Sequence, residues 1–458
     1  MTTLWLRRLG LIVGVFALAG CSTVGGAFSA INPFDGDGEA DEAPEPEEPD
    51  DGRIAVLSFD QRLEEDASLA DVPVFVPPPY VNVDWTQPGG FATNAMQHTD
   101  ATGPLERIWR RKIGQGTSNS GAVVARPIVA GGRVFAMDAR GDVVAVDAGD
   151  GDVLWRREFE PQYRKDRALR GGGLAFSEGR LFVATGHRYI TALDAETGDE
   201  LWRAEAAAPI HGAPTVAADR VFVITQDNDL LALTASTGQT LWNYPSLQES
   251  ARILSAPSPA VLSEVVVAPF ASGELAALRV ENGLRLWSDT LTRAVGVNSL
   301  SEINDIAGAP VLLDDGVYAI SHSGVLAGLD IVTGERLWVQ PAGGVHAPWV
   351  AGENLFVVTS DAQIIAVDRR NGRIRWLTEL PAFKNEKKRK GRIAWAGPIM
   401  AGDRLVLTSS EGDLFFVSPR DGGILERREL KEPVFVAPVI AQETVYVLTD
   451  EASLIALR

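Results

Sequence analysis

The sequence predicts an all-β chain folded as an eight-bladed β-propeller of four-stranded antiparallel blades. Three observations predict it. A hairpin ending on tryptophan recurs along the chain. A short strand opened by a small residue and proline precedes almost every copy. Unpaired half-copies stand at the two ends of the array.

The hairpin is plainest at 324–338, Gly-Val-Leu-Ala-Gly-Leu-Asp-Ile-Val-Thr-Gly-Glu-Arg-Leu-Trp. Val325 to Leu329 read as a strand buried on one face. Asp330 can accept backbone N–H groups within the turn, and Gly334 can take φ > 0 without steric cost. Leu337 and Trp338 open the next strand. Further copies end on Trp155, Trp202, Trp242, Trp287 and Trp376, and a degenerate copy carries Glu426 in the tryptophan's place. Counted from Trp109, these positions step by 46, 47, 40, 45, 51, 38 and 50 residues. A period of roughly 40–50 residues holding several short strands is the signature of a propeller.

Upstream of each hairpin the order is constant. Ala213-Pro214, Ala256-Pro257, Ala309-Pro310, Ala347-Pro348, Gly397-Pro398 and Ala437-Pro438 each begin a short strand. Arg126-Pro127 does so in the first repeat, and Gly171-Gly172-Gly173 in the second. A strand such as Arg220–Ile224, Asn354–Val358 or Thr444–Leu448 comes next. Small residues suit the crowded axis. The tryptophans suit the outermost strand, where each can pack between neighbouring blades for roughly 3–5 kcal/mol at ~25 cal/mol per Å². One blade cannot bury both faces alone, so blades must stack.

These openings count eight repeats. The last repeat lacks a Trp strand, and Leu105–Trp109 is a Trp strand without a repeat. Residues 105–113 are therefore expected to pair with 434–458, completing the eighth blade and removing two exposed edges.

Residues 1–20 read as a signal peptide: Arg7 and Arg8 precede an apolar run, Leu9–Leu18, too short to span a bilayer. Leu18-Ala19-Gly20-Cys21 resembles a bacterial lipobox, against the plainer reading of a signal peptide ending at a free thiol. The resemblance implies acylation of Cys21, palmitate included, at ~0.8 kcal/mol per buried CH₂. Ser22 at the next position, by resemblance to the usual sorting rule, favours the outer membrane facing the periplasm. Cys21 is the only cysteine, so neither a disulfide framework nor a cysteine metal site is available. Residues 35–52 carry ten acids and no base, about half of the net charge of −19. Such a run repels itself and stays extended, and it disfavours nucleic acid as a partner. Arg53–Asp66 could form one short ordered element, and Val72–Pro79 is Pro-rich. The expected organisation is thus 1–20 leader, 21–104 lipidated tether and 105–458 propeller.

No catalytic constellation emerges. His98, His187, His211, His322 and His346 form no metal-ligand spacing, and they read as ordinary polar residues; His211 and His346 precede inner strands and could face the axis. Gly114–Gly121 is Gly-rich but lacks the lysine of a phosphate loop, and reads as a blade connection. No metal, cofactor or catalytic residue is expected. Lys384–Arg392 is a basic insertion in an acidic chain. It reads either as a solvated loop or as a contact for an acidic partner, lipid phosphates or the acidic run. Arg164–Arg170 is a weaker case of the same kind. Period-breaking connections around 248–255 and 297–308 are the expected binding surface, because long loops carry function.

The Ala-x-Asp-x-x-Thr-Gly-x-x-x-Trp repeat resembles quinoprotein-type propellers. With the lipobox, Ile113-Gly-Gln-Gly and Ser299–Pro310, residues 105–458 resemble the BamB family, lipoproteins of the outer-membrane β-barrel assembly machine. That resemblance implies a non-enzymatic scaffold that binds the periplasmic POTRA domains of a BamA-like subunit, with unfolded outer-membrane proteins as further candidate partners. The family's contact surface places an Arg before a Ser-Ala-Pro strand and acids before a later Pro strand. These positions fall on Arg252 and Asp305. Its second acid falls on Ala307 and its leucines on Glu249 and Ala251, leaving Ile253 and Leu254 to supply apolar area. Two other classes stand beside the scaffold: a quinone (PQQ)-dependent dehydrogenase, and a peptide- or polysaccharide-binding periplasmic module.

Overall fold

The computed structural model describes residues 62–69, 72–161, 171–210, 212–249, 257–292 and 304–458. The lipobox with Cys21, the acidic run and Arg164–Arg170 lie outside these residues. Among those described, the chain forms eight four-stranded sheets in which neighbouring strands run antiparallel, as the repeat predicts. In blade 1 the order from the axis outward is Ile128–Ala130, Arg133–Met137, Val143–Asp147 and Val153–Arg157. Blades 2 to 7 repeat this order.

Blade 8 breaks it in the expected way. Val439–Ala441, Thr444–Leu448 and Ser453–Leu457 are joined by Arg107–Lys112 as the outer strand. Trp109 sits opposite Ala456. Glu106 and Arg458 exchange N–H···O bonds of 2.8 and 2.9 Å. The Arg110 guanidinium pairs with Glu432 across the same seam.

The tryptophans lock each blade to the next. The indole N–H of Trp109 donates to Ala148 O at 3.0 Å, and Trp155 to Ala195 O at 3.2 Å. Trp202, Trp242 and Trp287 reach Ala235, Val280 and Ile331 at 3.0, 3.1 and 2.9 Å. Trp338 and Trp376 reach Arg369 and Pro419 at 2.7 and 3.0 Å. Each ring lies flat on the turn glycine of the following blade, from Gly151 round to Gly422, all at φ between +71° and +77°. A Cβ there would stand 2.5–2.8 Å from the indole, so the glycine meets both the left-handed backbone and the close approach. The turn carboxylates work as expected. Oδ1 of Asp194 and of Asp330 each accepts two backbone N–H bonds, which hold both carboxyls below their usual range.

Glu426 now has a reason. It sits on the outer strand of blade 7, facing the seam, where blade 8 takes its fourth strand from residues 107–112 and so has no turn glycine. Without that platform an indole has nothing to lie on. Glu426 instead pairs with Arg428 at 2.7 Å, and Arg428 donates to Leu105 O at 2.7 Å.

The expected tether boundary at 104 needs correction. Residues 72–104 lie on the propeller as an inner belt, so ordered packing on the blades starts well before residue 105. The belt touches the blades in ring order. Asn82 meets Ile440 and Gln442 of blade 8, at 2.9 and 2.7 Å. Trp85 exchanges backbone bonds with Val129 of blade 1 at 2.7 and 2.9 Å. Thr86 O accepts from Phe176 N of blade 2, and Gln87 Oε1 accepts from Val216 N of blade 3. Ala92 O and Thr93 O accept from Val261 and Leu312 of blades 4 and 5. Gln97 Oε1 accepts from Gly352 N of blade 6, and Thr99 O from Gly402 N of blade 7. An open polar segment is stable here because its backbone groups find partners along the inner strands. Trp85 is fully buried, stacked 6.2 Å from Trp349.

Residues 62–69 cover the outer strand of blade 6, with Asp66 N donating to Ile374 O at 2.9 Å and Leu377 N to Glu65 Oε1 at 2.8 Å. This explains a local exception. The residue before each blade tryptophan is elsewhere a Leu or Ile on the rim, exposed at 44–52 %. In blade 6 it is Arg375, buried and paired with Asp368 at 2.6 Å.

Candidate functional site

Topology sorts the loops onto two faces. Each inner strand enters from an inter-blade connection and leaves through the turn into the second strand. The belt binds at the turn end, as its bonds to Gly131, Gly352 and Gly402 show. The inter-blade connections therefore gather on the opposite face, and the expected contact residues belong to them.

Arg252, Ile253 and Leu254 lie outside the described residues, in the connection from blade 3 to blade 4. Its described flank is anchored, with Asn228 accepting from Ser246 N at 2.9 Å. Leu247, 75 % exposed, adds apolar surface on that flank. Sequence spacing does not single it out, because the family pattern places its leucines at Glu249 and Ala251. Asp305 belongs to the connection from blade 4 to blade 5 and is 1 % exposed. Its backbone carbonyl accepts from His322 N at 2.9 Å. The residue is thus buried in the connection, and the structure does not present it on the surface.

The basic insertion is a small ribbon, Phe383–Asn385 paired with Lys390–Arg392. Asn385 caps its turn by accepting from Lys388 N at 3.0 Å, and Arg389 lies over Phe383 at 5.5 Å. Lys384 pairs with Glu411 at 2.8 Å, while Lys387, Lys388 and Lys390 stand in solvent. Gly114–Gly121 is a blade connection, as read: Gln115 N donates to Asp138 Oδ2 at 2.8 Å.

The axis holds a cavity of about 500 Å³. The belt, through Pro88, Gly89 and Asn94, lines one end; Ala394 and Phe435, both exposed, line the other among the connections. Small residues and prolines of the inner strands make most of the wall, with Trp349 and Trp395. His346 faces this cavity, as its position before an inner strand suggested. Burial first, and then the neighbouring Arg126 charge, push its imidazole down to about 4, so it is neutral at pH 7. Burial pushes Arg126 down to about 10, which still leaves it charged at pH 7. His98 belongs to the belt, with Nε2 2.7 Å from Gly402 O. His211 lies outside the described residues. Among those described, no three His, Cys, Asp or Glu side chains cluster as metal ligands.

A family model described as outer membrane protein assembly factor BamB matches residues 139–378. The assembly factor BamB of Alkalilimnicola ehrlichii is 36 % identical over 354 residues, covering 77 % of this chain and 88 % of that relative. BamB of Escherichia coli is 29 % identical over 342 residues, covering 73 % and 84 %. Among solved structures, BamB from Moraxella catarrhalis superposes with a TM-score of 0.65 at 20 % identity, over 77 % of this chain and 99 % of that one. A europium-containing methanol dehydrogenase also reaches 0.65, at 15 % identity, over 80 % and 89 %. At such identities the structural likeness is one of fold.

Proposed function

Because the chain belongs to the BamB family of outer membrane protein assembly factors, we propose that it is a non-catalytic scaffold lipoprotein of the outer-membrane protein assembly complex. The observation that carries this is the 36 % identity over 354 residues, 77 % of this chain, to a relative of that name. In this reading Cys21 carries the lipid anchor and the disc faces the periplasm. The connection holding Arg252, Ile253 and Leu254 engages the POTRA region of a BamA-like subunit. Asp305, buried at the blade 5 end of the next connection, supports that surface rather than touching the partner. Connections carried on a rigid scaffold suit recognition.

The test is a pull-down from detergent-solubilised envelope. The wild-type chain retains the BamA-like subunit, and Arg252→Glu lowers its recovery about tenfold. Unchanged recovery with Arg252→Glu rejects this surface, and no recovery with the wild type rejects the scaffold. The dehydrogenase reading rests on the shared propeller alone. Equilibrium dialysis with pyrroloquinoline quinone and Ca²⁺ separates the two: retention of the quinone at micromolar concentration would favour the enzyme.

A further inference from the structure

The axial cavity has features that a solvent-filled gap between blades does not need. Among the described residues its floor carries one cation, Arg126. The Arg126 guanidinium donates to three backbone carbonyls, Pro88 and Pro438 at 3.1 Å and Ala437 at 3.3 Å, and lies over Trp85 at 5.4 Å. These acceptors are neutral, and no described carboxylate stands within ion-pair distance of it. Arg126 is only partly buried, but a charge withdrawn from water with no carboxylate beside it still favours an anion nearby. Ser258 adds a second, independent sign. Its hydroxyl lines the cavity, is buried (the residue is 1 % exposed) and has no hydrogen-bond partner among the described residues. Buried hydroxyls are nearly always satisfied, so an orphan aimed into a cavity marks a place for an acceptor. Trp349 and Trp395 give the wall an apolar, aromatic character, and Phe435, 45 % exposed, stands at the open end. The one carboxylate among the described lining residues, Asp450, accepts from the Thr117 hydroxyl at 2.5 Å on the connection side.

We propose that this cavity is a binding site for a small, slender apolar carboxylic acid, entering between the connections with its carboxylate toward Arg126 and Ser258 and its body against Trp349 and Trp395. The volume suits such a molecule, since ligand pockets begin at roughly 300 Å³ and bury most of the ligand. The cation stays charged at neutral pH and His346 beside it stays neutral, so among the described residues the floor carries a single positive charge. This site is independent of the scaffold reading and uses none of its contact residues.

The experiment is calorimetric titration of the full chain with 4-phenylbutyrate and, in parallel, with the uncharged 4-phenylbutanol. Saturable one-to-one binding of the acid is expected, with the alcohol at least tenfold weaker. Arg126→Met should bring the acid down to the level of the alcohol, and Ser258→Ala should weaken the acid several-fold. Ala394→Trp, at an exposed position on the open end, should weaken both ligands without disturbing the floor. It keeps the test decisive if Arg126→Met does not fold. Absence of binding at millimolar acid, equal affinity for acid and alcohol, or full binding by Ala394→Trp would each overturn the proposal.

Discussion

Gly283→Ala is the sharpest test of the tryptophan lock. Gly283 has φ +71°, and its added Cβ would stand 2.6 Å from Cε3 of Trp242. Carbon atoms in contact prefer about 3.5–4.0 Å, so the ring must retreat by roughly 1 Å. That movement breaks the bond from Trp242 Nε1 to Val280 O, now 3.1 Å. The left-handed backbone costs an alanine about 1–2 kcal/mol. The lost hydrogen bond adds about 1 kcal/mol, and loosened packing of the indole adds a similar amount. The total is about 3–4 kcal/mol. Gly179→Ala is the control, because Gly179 has φ +77° with nothing within 4 Å of its Cβ position. It should show the backbone cost alone, about 1–2 kcal/mol. Urea unfolding followed by tryptophan fluorescence reads the difference as a shift in midpoint at constant slope. Equal shifts for the two variants would refute the idea that the glycine serves as the indole's platform.

Trp85→Ala should cost about 3–5 kcal/mol by the same urea assay, because it empties a fully buried site on which the belt is pinned; a loss under 1 kcal/mol would mean the belt is only loosely seated. Glu426→Trp should leave the midpoint nearly unchanged, whereas Trp202→Glu should lower stability by at least about 3 kcal/mol, since only Trp202 has a glycine to rest on. His346, held at about 4 against an ordinary 6.5, binds its proton more readily when the chain is unfolded. Its contribution is therefore complete above pH 6.5 and lost as pH falls toward 4, by an amount on the order of 2–3 kcal/mol. Melting curves at pH 7.5 and 4.5 should show a smaller acid-induced drop for His346→Gln than for the wild type, with His322, also lowered by burial, supplying part of what remains.

The regular part of this fold was legible because its physics is local and repeated. Gly334 and Trp338 announce a turn and an interlocking ring within a few residues, and the half-copy at Trp109 fixed the closure and hence the blade count. The belt was not legible for the opposite reason. Residues 72–104 have no period, and each polar group finds its partner on a different blade. The one local hint was compositional: Trp85 and Met96 are out of place in a solvated tether, and both are buried. Glu426 was visible as a departure, but only the missing turn glycine across the seam explains it. On the functional side, Arg126 read as nothing more than the residue opening a strand. Its character comes from Pro88 and Ala437, 38 positions earlier and 311 later. Asp305 was assigned by spacing, which carries no information about burial.

The circuit of the belt bears on how the molecule assembles. Asn82 must wait for Ile440, 358 residues further along, before its amide has anywhere to go. A stretch made early thus finds its place among the last, after all the sectors have closed up. Until then its tryptophan and the bare axial walls are uncovered together, and the half-made ring is sticky at its centre. Completion works like a drawstring: one thread passed through every sector can tighten only when none is missing.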